Sequence, residues 1–117
     1  VLFRSAISDL DKGFVSRFKS LVEERMKDAE LNVEDLGRNM GMSRVQLYRK
    51  LKSLTNYSPN ELLRQMRLKK AASLLASSDM TVAEIAYEVG FSSPSYFTKC
   101  YKEQFGESPT EFLKRRG

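Results

Sequence analysis

The chain has 117 residues, with 20 Lys and Arg against 15 Asp and Glu and a formal net charge of +5. This length allows one domain, or two very small lobes that share an element. A single Cys and no His exclude an intrachain disulfide, ordinary zinc sites and every His-based general base, and no apolar run reaches the roughly 18 residues that a membrane span needs.

Residues 1–8 read as a linker or cloning remnant, and the folded domain as 9–117. Asp9 or Asp11 opens a first helix running to about Ala29. Phe14, Phe18, Leu21, Val22 and Met26 recur on it at helical spacing, and this apolar face is expected to pack on the first repeat unit described below. Asn32 caps a short helix over 33–40 with Val33, Leu36 and Met40 inward, and Gly41 supplies a left-handed turn. Ser43 starts the next helix with Gln46 placed to close a capping box. Leu47, Tyr48, Leu51 and Leu54 form its buried side, and Thr55 and Asn56 end it.

Ser58, Pro59 and Glu61 make a strong helix start, with Ser as cap, Pro at the first helical position and Glu closing the box. The helix they open runs to about Ser77. Its Leu62, Met66, Leu68, Ala71, Ala72, Leu74 and Leu75 give it apolar surface for both lobes, so it is expected to act as a rigid connector. Thr81 and Glu84 cap a helix carrying Val82, Ile85, Ala86 and Val89; Gly90 turns the chain. Ser93 and Pro94 open a helix with Tyr96, Phe97, Tyr101 and Phe105, Tyr96 being assigned to the core. Gly106 closes that helix, and Ser108, Pro109 and Glu111 start a last one. The expected fold is therefore all-α, seven helices in two helix-turn-helix lobes (9–57 and 79–117) joined by a long connecting helix (58–78).

The two lobes are copies. Residues 33–43 (VEDLGRNMGMS) are matched 49 positions later by 82–92 (VAEIAYEVGFS). Beyond the turn the offset becomes 50, pairing Leu47 with Phe97, Leu51 with Tyr101, Arg49 with Lys99 and Glu61 with Glu111. Helix, Gly-centred turn and second helix, repeated, is the pattern of a paired helix-turn-helix, with Gly41 and Gly90 as the structural turns.

Charge is unevenly placed: residues 41–70 hold eight basic side chains against one acidic, Arg44, Arg49, Lys50, Lys52, Arg64, Arg67, Lys69 and Lys70 against Glu61. A stripe of this kind is either a solvated helix face or an electrostatic footprint for phosphate. In a helix-turn-helix the second helix presents its amino-terminal outward residues to base edges in the major groove. With Leu47 and Leu51 inward, the candidate base-contacting residues of the first lobe are Arg44, Val45, Gln46 and Arg49. Arg49 suits guanine O6 and N7, Gln46 suits adenine and Val45 a thymine methyl. Gln46 is equally explained as the capping partner of Ser43, and Arg44 suits phosphate better than bases. The second lobe offers Ser95, Thr98 and Lys99, which either contact bases or cover the surface. Ser43, Lys50, Lys52, Ser93 and Lys102 are the candidate phosphate contacts. Cys100 reads as a small buried thiol, and no catalytic constellation, metal site or cofactor site is visible.

Residues 67–75 (RLKKAASLL), 81–97 (TVAEIAYEVGFSSPSYF) and 105–109 (FGESP) resemble the DNA-binding domain of the AraC/XylS family of bacterial transcription regulators, over about residues 30 to 116. The resemblance implies two recognition helices in neighbouring major-groove segments of double-stranded DNA, with base-contacting places at Val45 and Arg49 and near Ser95 and Lys99. More narrowly, residues 42–55 (MSRVQLYRKLKSLT) look like the carboxy-terminal output domain of Bacteroides-type hybrid two-component regulators, which couple glycan sensing to carbohydrate-utilisation genes. That resemblance implies promoter binding and activation, RNA polymerase as a partner, dimerisation through other domains, and a cytoplasmic, nucleoid-associated location with no membrane contact by this segment. The competing expectation is a helical interaction module whose basic stripe docks an acidic protein partner or RNA polymerase.

Overall fold

The computed structural model describes residues 8–117, so the expectation of a linker over 1–8 lies outside the described residues except at Ser8. That residue is the cap of the first helix: its Oγ accepts the Asp11 amide at 3.1 Å. Seven helices and no strand occur among the described residues: α1 Asp9–Arg25, α2 Val33–Asn39, α3 Arg44–Thr55, α4 Pro59–Ser77, α5 Val82–Glu88, α6 Pro94–Phe105 and α7 Pro109–Arg116.

The starts are set by side-chain caps, as the sequence patterns require. Asn32 accepts the Asp35 amide at α2. Reciprocal boxes close α3 (Ser43 with Gln46), α4 (Ser58 with Glu61), α5 (Thr81 with Glu84) and α7 (Ser108 with Glu111). Each box satisfies two amides that a helix end leaves without intrahelical partners. Asn56 and Gly106 end α3 and α6 in the same left-handed conformation, with φ of 67° and 81°, which follows the internal repeat into the backbone.

The chain divides into two compact units, one formed by the residues up to Arg25 with Leu31–Leu63, the other by Met26–Glu30 with Arg64–Gly117. In the first, α1, α2 and α3 pack on one another, and Phe18, Val22, Leu36, Leu47 and Leu51 are wholly buried. In the second, Leu68, Ala71 and Leu75 of α4 join Ile85, Ala86, Val89, Phe91, Phe97, Cys100 and Tyr101 in one core. Aromatic edges organise it, with the Phe91 and Phe97 ring centroids 5.2 Å apart and those of Phe97 and Tyr101 5.8 Å apart. Helix α4 contributes to both units, Leu62 and Leu63 being buried residues of the first.

Five expectations are corrected. Helix α1 stops at Arg25, four residues before Ala29, and Met26 packs on the core of the second unit, not the first. Tyr48 is 47% exposed and Tyr96 52% exposed, so neither is core; each is flanked by the residue that does point inward, Leu47 or Phe97. Phe105 keeps contact with the Tyr101 ring at 4.6 Å yet is itself exposed at the carboxyl end of α6.

Candidate nucleic-acid interface

Helix α3 has two faces. Leu47 and Leu51 are buried, while Val45, Tyr48, Arg49 and Lys52 are all exposed. Their spacing of i, i+3, i+4 and i+7 places them on one stripe along the helix. Val45 is 56% exposed, and Arg49 and Lys52 are exposed and take part in no ion pair among the described residues. A free guanidinium beside an exposed isopropyl group and a phenol can meet guanine, a thymine methyl and a phosphate or base edge.

The remaining first-lobe candidates are engaged within the fold. Gln46 is exposed, but its Oε1 accepts the Ser43 amide at 2.9 Å while Ser43 Oγ accepts the Gln46 amide at 3.1 Å. Its side-chain amide NH2 is not used by the box, so the capping role and a donor-only contact coexist. Arg44 is exposed and lies 3.8 Å from Glu34. Lys50 is turned towards α1, with its ammonium 3.4 Å from an Asp11 carboxylate oxygen and 5.2 Å from the centre of the Phe14 ring. Asp11, Gly41, Met42, Gln46, Arg49 and Lys50 line one shallow groove beside the helix.

Helix α6 carries the corresponding stripe 50 positions on. Ser95, Lys99 and Lys102 are exposed and Thr98 is half-buried, opposite the buried Phe97, Cys100 and Tyr101. Ser93 caps the helix through the Tyr96 amide at 3.3 Å. The exposed Tyr96 ring leans on Phe91, centroids 5.9 Å apart. Ser95, Thr98 and Lys99 therefore occupy on α6 the places that Val45, Tyr48 and Arg49 occupy on α3. Tyr48 is the outward residue that reading α3 alone assigns to the core; its repeat partner Thr98 was the signal that it faces outward.

Not all of the basic stripe is available to phosphate. Arg64, Lys69 and Lys70 are exposed on α4, but the Arg67 guanidinium donates to the Asp28 carbonyl at 2.8 Å and its Nε is buried without a hydrogen-bond partner. Burial lowers its pKa, opposed by the charge of Asp28. Arg67 thus ties residues 26–30 to α4, and the turn glycine completes the contact: Gly90 has φ of +95°, and a Cβ there would lie 2.0 Å from the Met26 carbonyl oxygen. Gly41 has φ of +70° but open space around it, so the two turn glycines share a backbone conformation and differ in their surroundings. No group of described residues is arranged to hold a metal ion, and no described helix is long and apolar enough to cross a membrane.

Two capped helix-turn-helix units, each with an outward stripe on its second helix, define a DNA-binding module. Residues 36–115 match the helix-turn-helix domain family, and the chain belongs to its AraC/XylS type of DNA-binding transcription regulators. It is 37% identical to histidine kinase P4 of Formosa agariphila over 109 residues, 93% of this chain and 8% of that protein. It is 30% identical to the transcriptional activator RhaS of Escherichia coli over 119 aligned positions, covering 99% of this chain and 42% of RhaS. The DNA-binding domain of the transcriptional factor AdpA, solved in complex with a target DNA, superimposes with a TM-score of 0.80 at 30% identity, covering 86% of this chain and 89% of that one. The chain spans less than half the length of these two curated relatives.

Proposed function

We propose that this domain activates transcription by placing α3 and α6 in successive major-groove segments of promoter DNA, as the output domain of a longer hybrid two-component regulator. The observation that carries the reading is the stripe of Val45, Tyr48, Arg49 and Lys52, exposed and free of ion pairs on the helix that a helix-turn-helix inserts. Arg49 reads a guanine, Val45 packs on a thymine methyl, and Lys52, Ser43 and Arg44 hold phosphate. On α6, Lys99 takes the place of Arg49, with Ser95 and Thr98 beside it and Ser93 and Lys102 on the backbone. Lysine is a point charge and selects bases less sharply than the planar fork of arginine, so α3 supplies most of the discrimination. Similarity to a histidine kinase over most of this chain supports the two-component context, and similarity to an activator supports activation. In this reading the parent protein contacts RNA polymerase, dimerises through other segments, and works on the nucleoid in the cytoplasm.

The two reading helices differ in sequence, so one chain recognises an asymmetric site of two unlike elements about one helical turn apart. Selection of binding sites from random duplex, followed by a mobility-shift series with respaced elements, tests this. Moving the elements apart by about five base pairs rotates one to the far side of the duplex, and affinity should fall towards that of one lobe. Undiminished binding to every respaced site would show that a single lobe reads bases.

A further inference from the structure

Two candidate phosphate contacts of α3 are held in ion pairs with other elements, Arg44 with Glu34 of α2 at 3.8 Å and, more closely, Lys50 with Asp11 of α1. The Lys50 ammonium lies 3.4 Å from Asp11 and over the Phe14 ring, and the two paired side chains are 41% and 30% exposed. Both partners come from the first turns of α1, where Ser8 caps the helix through the Asp11 amide and a carboxylate is favoured by the helix dipole. Asp11 also lines the groove that Gln46 and Arg49 border, so its charge stands beside the surface proposed to meet the DNA backbone.

We infer that Asp11 is a positioning residue that sets the phosphate affinity of α3 through Lys50, holding that ammonium towards α1 and out of the set of cations that neutralise DNA. The inference rests on the proposal that α3 enters the groove. A cation engaged with a carboxylate releases no counterion from DNA when the protein binds, so it adds nothing to the salt-dependent part of affinity. The carboxylate adds a like-charge penalty to any phosphate approaching the same place. An exposed pair is weak, which makes Asp11 a graded control and leaves Lys50 recoverable when the carboxylate is removed. Base reading belongs to the Val45, Tyr48 and Arg49 stripe, so the control acts on all sequences alike.

The test is a mobility-shift or anisotropy titration of the purified chain against a duplex carrying a selected site and one of random sequence, across a salt series. Asp11→Asn, which keeps the Ser8 cap, should raise affinity for both duplexes by about two- to fivefold, the range an exposed ion pair supplies. It should also steepen the slope of log affinity on log salt by about 0.9, one further phosphate neutralised. Asp9→Asn removes the same charge two residues from Asp11 and should leave both quantities close to wild type. In the Lys50→Met background, which keeps an aliphatic chain over Phe14, Asp11→Asn should lose most of its gain and all of its effect on the salt slope, leaving only the small part due to like-charge repulsion. Equal gains from Asp9→Asn, a full gain in the Lys50→Met background, or no gain at all would each overturn the inference. If Arg49→Ala also leaves binding of the selected site unchanged, the proposal for α3 itself fails; if Arg49→Ala weakens it and Asp11→Asn is silent, only the role of Asp11 fails.

Discussion

Gly90 lies directly against the backbone of Met26: a side-chain carbon at Gly90 would fall 2.0 Å from the Met26 carbonyl oxygen and 2.7 Å from Arg67 Nε. The turn of the second unit is thus also the socket for residues 26–30. Gly90→Ala combines strain at a positive φ with displacement of that backbone, and should destabilise the fold by at least about 3 kcal/mol. Gly41→Ala meets only the conformational cost, about 1–2 kcal/mol, because nothing lies within 4 Å of its added carbon. Urea denaturation of both variants checks this, and equal losses would refute the socket.

Arg49→Ala should lose about 1–3 kcal/mol of binding free energy and relax preference at one base pair, whereas Lys52→Ala should weaken all sequences similarly. Tyr48→Phe separates the two roles open to the phenol: a flat selected-site profile with lower affinity marks a phosphate contact, and a changed profile marks base reading. The profile of each variant, selected from random duplex at fixed salt, is the measurement. An unchanged profile for Arg49→Ala would remove it from the base readers.

Affinity should fall steeply with salt, each neutralised phosphate adding about 0.9 to the slope of log affinity on log salt. The fold divides the basic stripe into contributors and non-contributors. Lys52→Ala should flatten the slope by about that amount, while Arg67→Met should leave it unchanged, since that guanidinium is turned to the Asp28 carbonyl. Equal flattening by the two variants would show that Arg67 reaches DNA.

Acid should loosen the helix starts. The Glu84 and Glu111 carboxylates accept the Thr81 and Ser108 amides, each at 2.8 Å, and these bonds hold both pKa values below the ordinary 4.5. The hydrogen bond from Arg115 lowers that of Glu107 in the same way. A depressed carboxylate pKa stabilises the fold fully above the unfolded value, and that stabilisation is lost as pH falls through the folded values. Urea midpoints should therefore hold down to about pH 5 and decline below 4.5. Glu84→Gln, which keeps the acceptor without its titration, should make that decline shallower; an identical acid profile would exclude Glu84 from it.

Helix starts and turns were legible in the sequence because they depend on local chemistry. Ser43, Ser58, Thr81 and Ser108 each sit three residues before the Gln or Glu that closes the box, and the backbone follows. The inward face was legible where one residue alone satisfied the helical period, as at Leu47 and Leu51. It was misread at Tyr48 and Tyr96, because an aromatic ring next to an inward residue fits the apolar pattern equally well and only the packing decides between neighbours. Nor did the sequence distinguish free cations from engaged ones. Arg67, Lys50 and Lys52 look alike along the chain, and what separates them is contact with Asp28, 39 residues from Arg67, and with Asp11.

The Ser43 and Gln46 box bears on how such a domain acquires a new operator. Replacing Gln46 to alter a base contact also removes the acceptor of the Ser43 amide, so a change of preference there carries a folding cost of roughly 0.5–2 kcal/mol, typical of a lost cap. Positions 45, 48 and 49 carry no such tie and can be exchanged at little expense to the fold. On α6 the equivalent of Gln46 is Tyr96, whose side chain supplies no cap, the Ser93 hydroxyl serving alone. Of two helices descended from one pattern, the second is thus the freer to be rewritten at its third position, and directed selection for altered sites should accumulate changes at 96 while sparing 46.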